Sequence, residues 1–455
     1  MKRVLIITYY WPPAGGSGVQ RWVKFAKYLP SEGWQPVIYT PVNPEISSVD
    51  ETLLKDIPAE AEVIKTHISE PYAAYRRLMG SGSSTDMKTL IATSGSKGAE
   101  AGATGGEGNP ISSGRKSFKQ NLSLWIRGNI FIPDPRVWWV GPSVRHLKKY
   151  LKEHPVDVIV STGPPHSMHL IGRRLSLATG IPWIPDFRDP WTKMFYFKHL
   201  RLNKLSLRRH LRMEQQVLDD AAAVISVTPM VQADFQERTT TRVHLITNGF
   251  DEEDFASIMP AAVPEGEFRI VHTGLFAADG NPLALWDVLA RKCADDPGFD
   301  RALRICLVGK VDAEIMEQLR LRGLGGHVEA AGYLSHDEAV ARQKGCSLLI
   351  LPLRMDPEYR KVLPGKIFEY LASGRPVLGI GQEDGAAAQV LEQTGAGRMF
   401  DWDNADGMRT FVDEAYRRFA AGVEAPAAVG IDGYSRRNLT HRLAELLDSV
   451  IAENN

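Results

Sequence analysis

An α/β fold of two doubly wound, Rossmann-like domains facing a central cleft is what this sequence predicts, on three observations. The chain has 455 residues, too many for one ordinary core and enough for two of about 200 residues each. Short apolar runs alternate with helical stretches, and the series ends before Ala261–Gly266 and restarts at Phe268; alternation of this kind specifies parallel sheets covered on both faces. Within the second series, Leu363–Ile380 reads as a complete turn, helix, turn and strand. The expected organisation is an amino-terminal domain over 1–260, a second domain over 261–430 and a closing segment over 431–455.

Taken in order, Val4–Thr8 is the first expected strand. The turn Pro12–Gly18 leads from it into a helix whose Val19, Val23, Phe25, Ala26 and Leu29 face a core. Gly15, Gly16 and Gly18, with Ser17 between them, let backbone approach a ligand, and a helix start favours negative charge. Arg21 takes the last place of a GxGxxG pattern, so a tight strand-to-helix turn without a ligand reads equally well. Pro36–Thr40 is a second strand. Residues 80–116 are rich in Gly, Ser, Ala and Thr and read as a disordered insertion. Beyond them Leu122, Leu124, Trp125, Ile130, Phe131, Trp138 and Trp139 alternate with Arg127, Arg136, Arg145, Lys148 and Lys149. That mixture suits the interface of an anionic bilayer, and somewhat better ordinary helix packing with snorkelling cations.

Val156–Ser161 and Pro182–Phe187 are further strands, ending in Thr162-Gly163-Pro164-Pro165-His166 and in Arg188-Asp189-Pro190-Trp191. Ligands of open parallel sheets gather beyond the carboxyl ends of strands, which places His166, Asp186, Arg188 and Asp189 where a site belongs, with a structural ion pair as the alternative for the charged three. His166 and His169 lack a third ligand for a metal. Ala222–Val227 and Val243–Thr247 complete the first series. In the second, Phe268–Thr273, Ala302–Val308, His327–Tyr333, Ser347–Leu351 and Arg375–Ile380 are strands. Leu439, Leu443, Leu446, Leu447 and Val450 give the last helix one apolar face.

Charge and cysteine content exclude several classes. Lys plus Arg and Asp plus Glu are both 54, so the chain lacks the general basic footprint of a nucleic-acid binder. Cys293, Cys306 and Cys346 have no paired spacing, which argues against a disulfide framework and against a zinc site. The amino terminus has no cleavage site after its short apolar run, and no apolar stretch reaches membrane-spanning length. A cytoplasmic protein that touches the membrane from the inner face is expected.

The sharpest chemistry lies in Leu363–Ile380. Pro364 and Gly365 precede a helix that begins near Lys366, with Ile367, Tyr370 and Leu371 at helical spacing. A carboxylate such as Glu369 accepts hydrogen bonds without donating, which suits vicinal ribose hydroxyls. The free N–H groups of the helix start and the charge of Lys366 suit a diphosphate. A solvated helical glutamate is the competing reading.

In its motifs the chain resembles the retaining glycosyltransferases of family 4, which have the GT-B architecture, and within them the enzymes of bacterial surface-polysaccharide and glycolipid assembly. The residues that carry the likeness are GGSGVQRW at 15–22, STGPPHSMHL at 161–170, GIPWIPDFRDPW at 180–191, NGFD at 248–251 and PGKIFEYLASGRPVL at 364–378. The resemblance implies an amino-terminal domain that meets a glycan or lipid-linked acceptor and a carboxy-terminal domain that holds a nucleotide sugar. It implies transfer with retention, no metal or other cofactor, the nucleotide sugar being a co-substrate, and a final helix that returns to the first domain. Glu369 matches the ribose-binding glutamate, Gly16 the loop near diphosphate and sugar, and Gly274 the first turn of the donor domain.

Three positions depart from the family pattern. Lys361 stands where a second glutamate is common, Thr273–Asp279 carries no cation, and Arg188 takes a strand-end place often held by histidine. A departing diphosphate needs positive charge, so Lys366 is expected to supply it first, ahead of Lys361, Arg360 and Lys310. Asp186, Arg188 and Asp189 are expected to position acceptor or sugar, with His166 and Trp191 on the acceptor side. Besides an active transferase, a nucleotide-sugar 2-epimerase of the same architecture and a non-catalytic nucleotide- or glycan-binding protein remain open.

Overall fold

The computed structural model describes residues 1–46, 49–68, 125–126, 128–194 and 197–454. The insertion expected over 80–116, and Leu122, Leu124 and Arg127, lie outside the described residues. Contacts divide the chain into two compact units, Met1–Thr247 with Thr440–Asn455, and Asn248–Leu439.

The first unit is built on seven parallel strands: β1 (Lys2–Ile7), β2 (Trp34–Pro41), β3 (Glu62–Thr66), β4 (Val158–Gly163), β5 (Trp183–Phe187), β6 (Val224–Ser226) and β7 (Val243–Leu245). Their order across the sheet is β3-β2-β1-β4-β5-β6-β7, so the strand order reverses between β1 and β4, where a ligand crevice opens in doubly wound sheets. Helix α1 (Ser17–Tyr28) follows β1, α2 (Ser167–Thr179) follows β4 and α3 (Lys204–Asp219) follows β5. Leu5, Ile7, Ile159, Met168, Ile171, Trp183 and Phe187 share one buried core.

The second unit has six parallel strands: β8 (Phe268–Thr273), β9 (Leu303–Val308), β10 (Val328–Gly332), β11 (Leu348–Pro352), β12 (Val377–Ile380) and β13 (Gly397–Phe400). They lie in the order β10-β9-β8-β11-β12-β13, with the reversal between β8 and β11. Side chains alternate across this sheet as the pleat requires: Leu349, Leu351 and Val271 enter one core, and Leu348, Ile350 and Ile270 the other. Among its helices are α4 (Leu283–Asp295), α5 (His336–Gly345) and α6 (Lys366–Ser373). The boundary between units falls upstream of the expected linker at 261–266. Phe255 belongs to a core of the second unit, and Lys344 Nζ donates to the carbonyls of Phe255 and Ile258 at 2.9 and 2.6 Å.

The last helix, α7 (Arg436–Asn454), belongs to the first unit from Thr440 onward. There Asp448 Oδ1 meets Lys2 Nζ at 2.6 Å and accepts from Trp34 Nε1 at 3.1 Å, while Arg442 donates to the Leu245 carbonyl at 2.7 Å. Leu443, Leu447 and Val450 are buried along its apolar face.

Candidate functional site

Two sets of polar residues gather at the carboxyl ends of the strands, one in each unit. In the first unit, α1 begins at Gly16, whose φ of 100° lies in the region open to glycine, and its start has neither a side-chain cap nor an acidic first turn. Gly18 sits against Arg188: the guanidinium donates from Nη1 to the Gly18 carbonyl at 2.8 Å and from Nη2 to the Pro164 carbonyl. A Cβ on Gly18 would lie 2.4 Å from that Nη1, so glycine is what allows the arginine to lie here. Arg188 Nε is buried and has no partner among the described residues. Burial pulls the guanidinium below its ordinary value, with Asp189 and Asp186 opposing. Asp189 is half-buried beside it.

Asp186, expected to position acceptor or sugar, is taken up by the structural ion pair that was its alternative. It is fully buried and forked by Arg21, whose Nη2 lies 2.8 Å from Oδ1, and it accepts from Trp22 Nε1 at 2.7 Å and Thr162 Oγ1 at 2.9 Å. Arg21 also donates to the Thr247 and Ile246 carbonyls at 2.7 and 2.8 Å. Desolvation raises the Asp186 carboxyl, but the Arg21 charge and these hydrogen bonds outweigh it and hold the group below its ordinary value. The residue that spoils the GxGxxG pattern is thus the partner of a structural carboxylate. Trp191 also lies behind the site: it is buried and donates from Nε1 to His210 Nδ1 at 3.1 Å. Its indole backs His166, stacked at 4.7 Å and 2°. His166 itself is buried, neither ring nitrogen has a partner among the described residues, and desolvation keeps its imidazole neutral by lowering it well below its usual value.

In the second unit, the helix start at Lys366 carries no side-chain cap, and the backbone N–H groups of Gly365 and Lys366 have no partner among the described residues. The next two N–H groups are spent locally, Ile367 on the Pro364 carbonyl at 3.0 Å and Phe368 on that of Gly365 at 3.3 Å. The Ile367 side chain, expected beside the donor, is core and its N–H is used.

Lys366 reaches back over the turn after β8. Its Nζ lies 3.2 Å from His272 Nε2 and 3.5 Å from the Leu275 carbonyl. His272 Nδ1 faces the Ile350 carbonyl at 3.3 Å; a carbonyl only accepts, so Nδ1 carries the proton and Nε2 is left to accept from the ammonium. Gly274, at φ 92°, leaves the room, because a Cβ there would come within 3.4 Å of Nζ. The loop that lacks a cation in sequence thus receives one from α6. Desolvation lowers this ammonium to about 8, against the opposing attraction of Glu369.

Glu369 lies one helical turn from Lys366 on the same face. Its Oε2 accepts from Gln343 Nε2 at 3.1 Å, and the same Nε2 reaches Thr273 Oγ1 at 3.1 Å. Gln343 is fully buried on α5, so the carboxylate is fixed from behind, and Oε1 has no partner among the described residues. The competing cations are elsewhere engaged or apart: Lys361 pairs with Glu358 at 3.4 Å and Arg360 with Asp384 at 2.7 Å. The Lys310 side chain is exposed, while its carbonyl supports the turn by accepting from Phe276 N at 2.9 Å. Sequence reading missed His272 and Gln343. The signal for the first was a histidine at a strand end just before the Thr273-Gly274 turn; nothing local marked the second.

Comparison with known proteins agrees with this architecture. Residues 110–254 match the model "Glycosyltransferase Family 4" and residues 267–424 the model "Glycosyl transferases group 1". No curated protein sequence matches the chain. Among solved structures, a glycosyltransferase from Rickettsia africae is 14% identical with a TM-score of 0.54, covering 100% of this chain and 94% of that one. The lipopolysaccharide outer core galactosyltransferase WaaB is 12% identical with a TM-score of 0.52, covering 100% of both chains. A UDP-N-acetylglucosamine 2-epimerase from Listeria monocytogenes, so described provisionally, is 10% identical with a TM-score of 0.53, covering 100% of this chain and 98% of that one. At such identities these structures establish the fold, and the two sequence models establish the family. The chain belongs to the family-4-like glycosyltransferases and has their GT-B fold.

Proposed function

We propose that this glycosyltransferase moves a sugar, with retention and without a catalytic metal, from a nucleotide-diphosphate sugar to an acceptor hydroxyl in the assembly of a cell-surface polysaccharide or glycolipid. The observation that carries the reading is the pairing on α6 of an ammonium over a glycine turn with a carboxylate fixed from behind by Gln343. In this reading Glu369 accepts from the ribose hydroxyls. Lys366 and the N–H groups at Gly365 and Lys366 hold the diphosphate and stabilise its charge as the glycosidic bond breaks. Gly274 keeps that space open, and the departing phosphate takes the acceptor proton. In the first unit Gly16, Ser17 and Gly18 begin the uncapped helix. Arg188 and Asp189 contact sugar or acceptor, and His166, neutral and with ring nitrogens that have no partner among the described residues, lies on the acceptor side.

A lipid-linked acceptor and a cytoplasmic, membrane-surface location are favoured by the surface of α3. Lys204, Arg208 and Arg212 form an exposed row at four-residue spacing, with no ion-pair partner among the described residues. Leu205 is 76% exposed, and Leu207 and Leu211 are exposed beside the row. Asn129 ties the segment carrying exposed Trp125 and Ile130 to this region through the Arg201 carbonyl and Asn203 N, at 3.3 and 2.8 Å. Cations interleaved with exposed apolar side chains suit an anionic bilayer better than a soluble anion.

The test is incubation with UDP- and GDP-sugars with and without a lipid-linked acceptor. Nucleotide release that depends on acceptor is expected. Acceptor-free isomerisation of the sugar would establish the epimerase reading, which the epimerase fold match keeps in view, and saturable binding without turnover would establish a binding protein. Sedimentation with anionic but not neutral vesicles at low salt is expected for the full chain, and lack of sedimentation would remove the membrane part of the proposal.

A further inference from the structure

The cysteines that look isolated in sequence are not all isolated in space. Cys293 near the end of α4, Asp300 in the short helix Pro297–Ala302 and His327 just before β10 bring one ligand atom each within 4.8 Å of one another. Asp300 and His327 precede β9 and β10, so the cluster lies at the amino ends of the strands, opposite the end that carries Gly274 and Lys366. The three side chains are half-buried, and Lys292, the neighbouring cation, is drawn away to Asp413 at 2.6 Å.

The geometry of His327 is informative. Its Nδ1 lies 3.3 Å from the Leu303 carbonyl, so Nδ1 carries a proton, and its Nε2 lies 3.2 Å from Asp300 Oδ1. A neutral imidazole so fixed would aim a lone pair at a carboxylate oxygen; the contact is favourable only if a positive centre, a proton or a metal ion, lies between them. A ring whose far nitrogen is tied to a backbone carbonyl is also how metal-binding histidines are oriented. Ligation by Cys293 would release the thiol proton to water as the metal takes its place.

We propose that Cys293, Asp300 and His327 bind one divalent cation of the zinc type, clasping the end of α4, the short helix and the approach to β10. Sulfur, imidazole nitrogen and carboxylate oxygen together select a borderline-soft ion. Bonds of about 2.0 to 2.3 Å require ligand atoms about 3.5 Å apart, which small side-chain movements reach. Three protein ligands leave a fourth position for water. Standing away from Lys366 and Glu369, the ion takes no part in sugar transfer, and the inference is independent of the proposed function.

The test uses the full chain freed of metal by a chelator and titrated with Zn2+ and Co2+. One ion per chain, a thiolate-to-cobalt charge-transfer band and a raised unfolding midpoint are expected. Cys293→Ser should abolish the band and, with His327→Gln, weaken Zn2+ binding by at least about tenfold, while His336→Gln, at an exposed site, should change nothing. Should the two ligand variants fail to fold, alkylation of the wild-type chain read by mass spectrometry replaces them: Zn2+ should protect Cys293, the half-exposed member of the three cysteines. Binding without the thiolate band, equal binding by all variants, or alkylation of Cys293 unaffected by Zn2+ would mean an adventitious ion only and overturn the proposal.

Discussion

The carboxyl ends of the two sheets share a topology and treat charge in opposite ways. In the first unit the strand-end carboxylate Asp186 is consumed by Arg21, Trp22 and Thr162, and no part of it is exposed. In the second, Lys366 is held by a neutral imidazole and a carbonyl, so its charge is not cancelled by an ion pair. A buried, fully paired charge fixes a fold at high cost if either partner is lost. A half-buried charge with neutral partners costs some desolvation and remains available to a ligand. Position at a strand end locates a site, and the partners decide which charges serve it.

This comparison makes its largest prediction at Asp186. Asp186→Ala should cost about 3 to 5 kcal/mol, because it leaves Arg21 buried without its counter-charge; urea unfolding would measure it, and a loss under about 1 kcal/mol would break the contrast. Next is Gly18→Ala, whose added carbon meets Arg188 Nη1 at 2.4 Å. Displacing that guanidinium from two carbonyls should cost about 1 to 3 kcal/mol, read in the same experiment. By contrast Lys366→Met removes a charge that burial disfavours, so it should lower stability by no more than about 0.5 kcal/mol, and a loss as large as that of Asp186→Ala would show that Lys366 is structural.

A pH dependence sharpens the same point. The Lys366 ammonium is lowered from 10.5 to about 8 in the folded chain. Between those values the unfolded chain holds a proton that the folded one has lost, so this group makes stability rise with pH across that window. Nucleoside diphosphate affinity should run the other way, full below about pH 8 and falling above it as the charge is lost. Parallel pH titrations of unfolding and of binding, in wild type and Lys366→Met, would show both trends in the first protein and neither in the second.

How far the sequence was legible follows from where each residue finds its partners. Central strands such as β8 and β11 stood out because burial on both faces makes them continuous apolar runs. The edge strands β3 and β13 escaped notice, since Glu62–Thr66 is largely half-exposed and Gly397–Phe400 is buried only at its end. Lys366 and Glu369 could be singled out because a helix start and a one-turn spacing are local features. The fate of Asp186 could not, for its counter-ion Arg21 is 165 residues away, and His272, which orients Lys366, is 94 residues away. The same limit hid Cys293, whose neighbours at 300 and 327 follow no ligand spacing.

Calorimetry of nucleosides and their diphosphates tests the central claim most directly. UDP and GDP, with uridine and guanosine as their truncated partners, would be titrated into wild type, Lys366→Met and Glu369→Ala. For the nucleotide that binds, Lys366→Met should lose about 10- to 100-fold in diphosphate affinity and keep the affinity for the nucleoside, whereas Glu369→Ala should weaken both, each lost charge-assisted hydrogen bond being worth about 1.5 to 3 kcal/mol. Wild-type affinities in both variants would contradict the account.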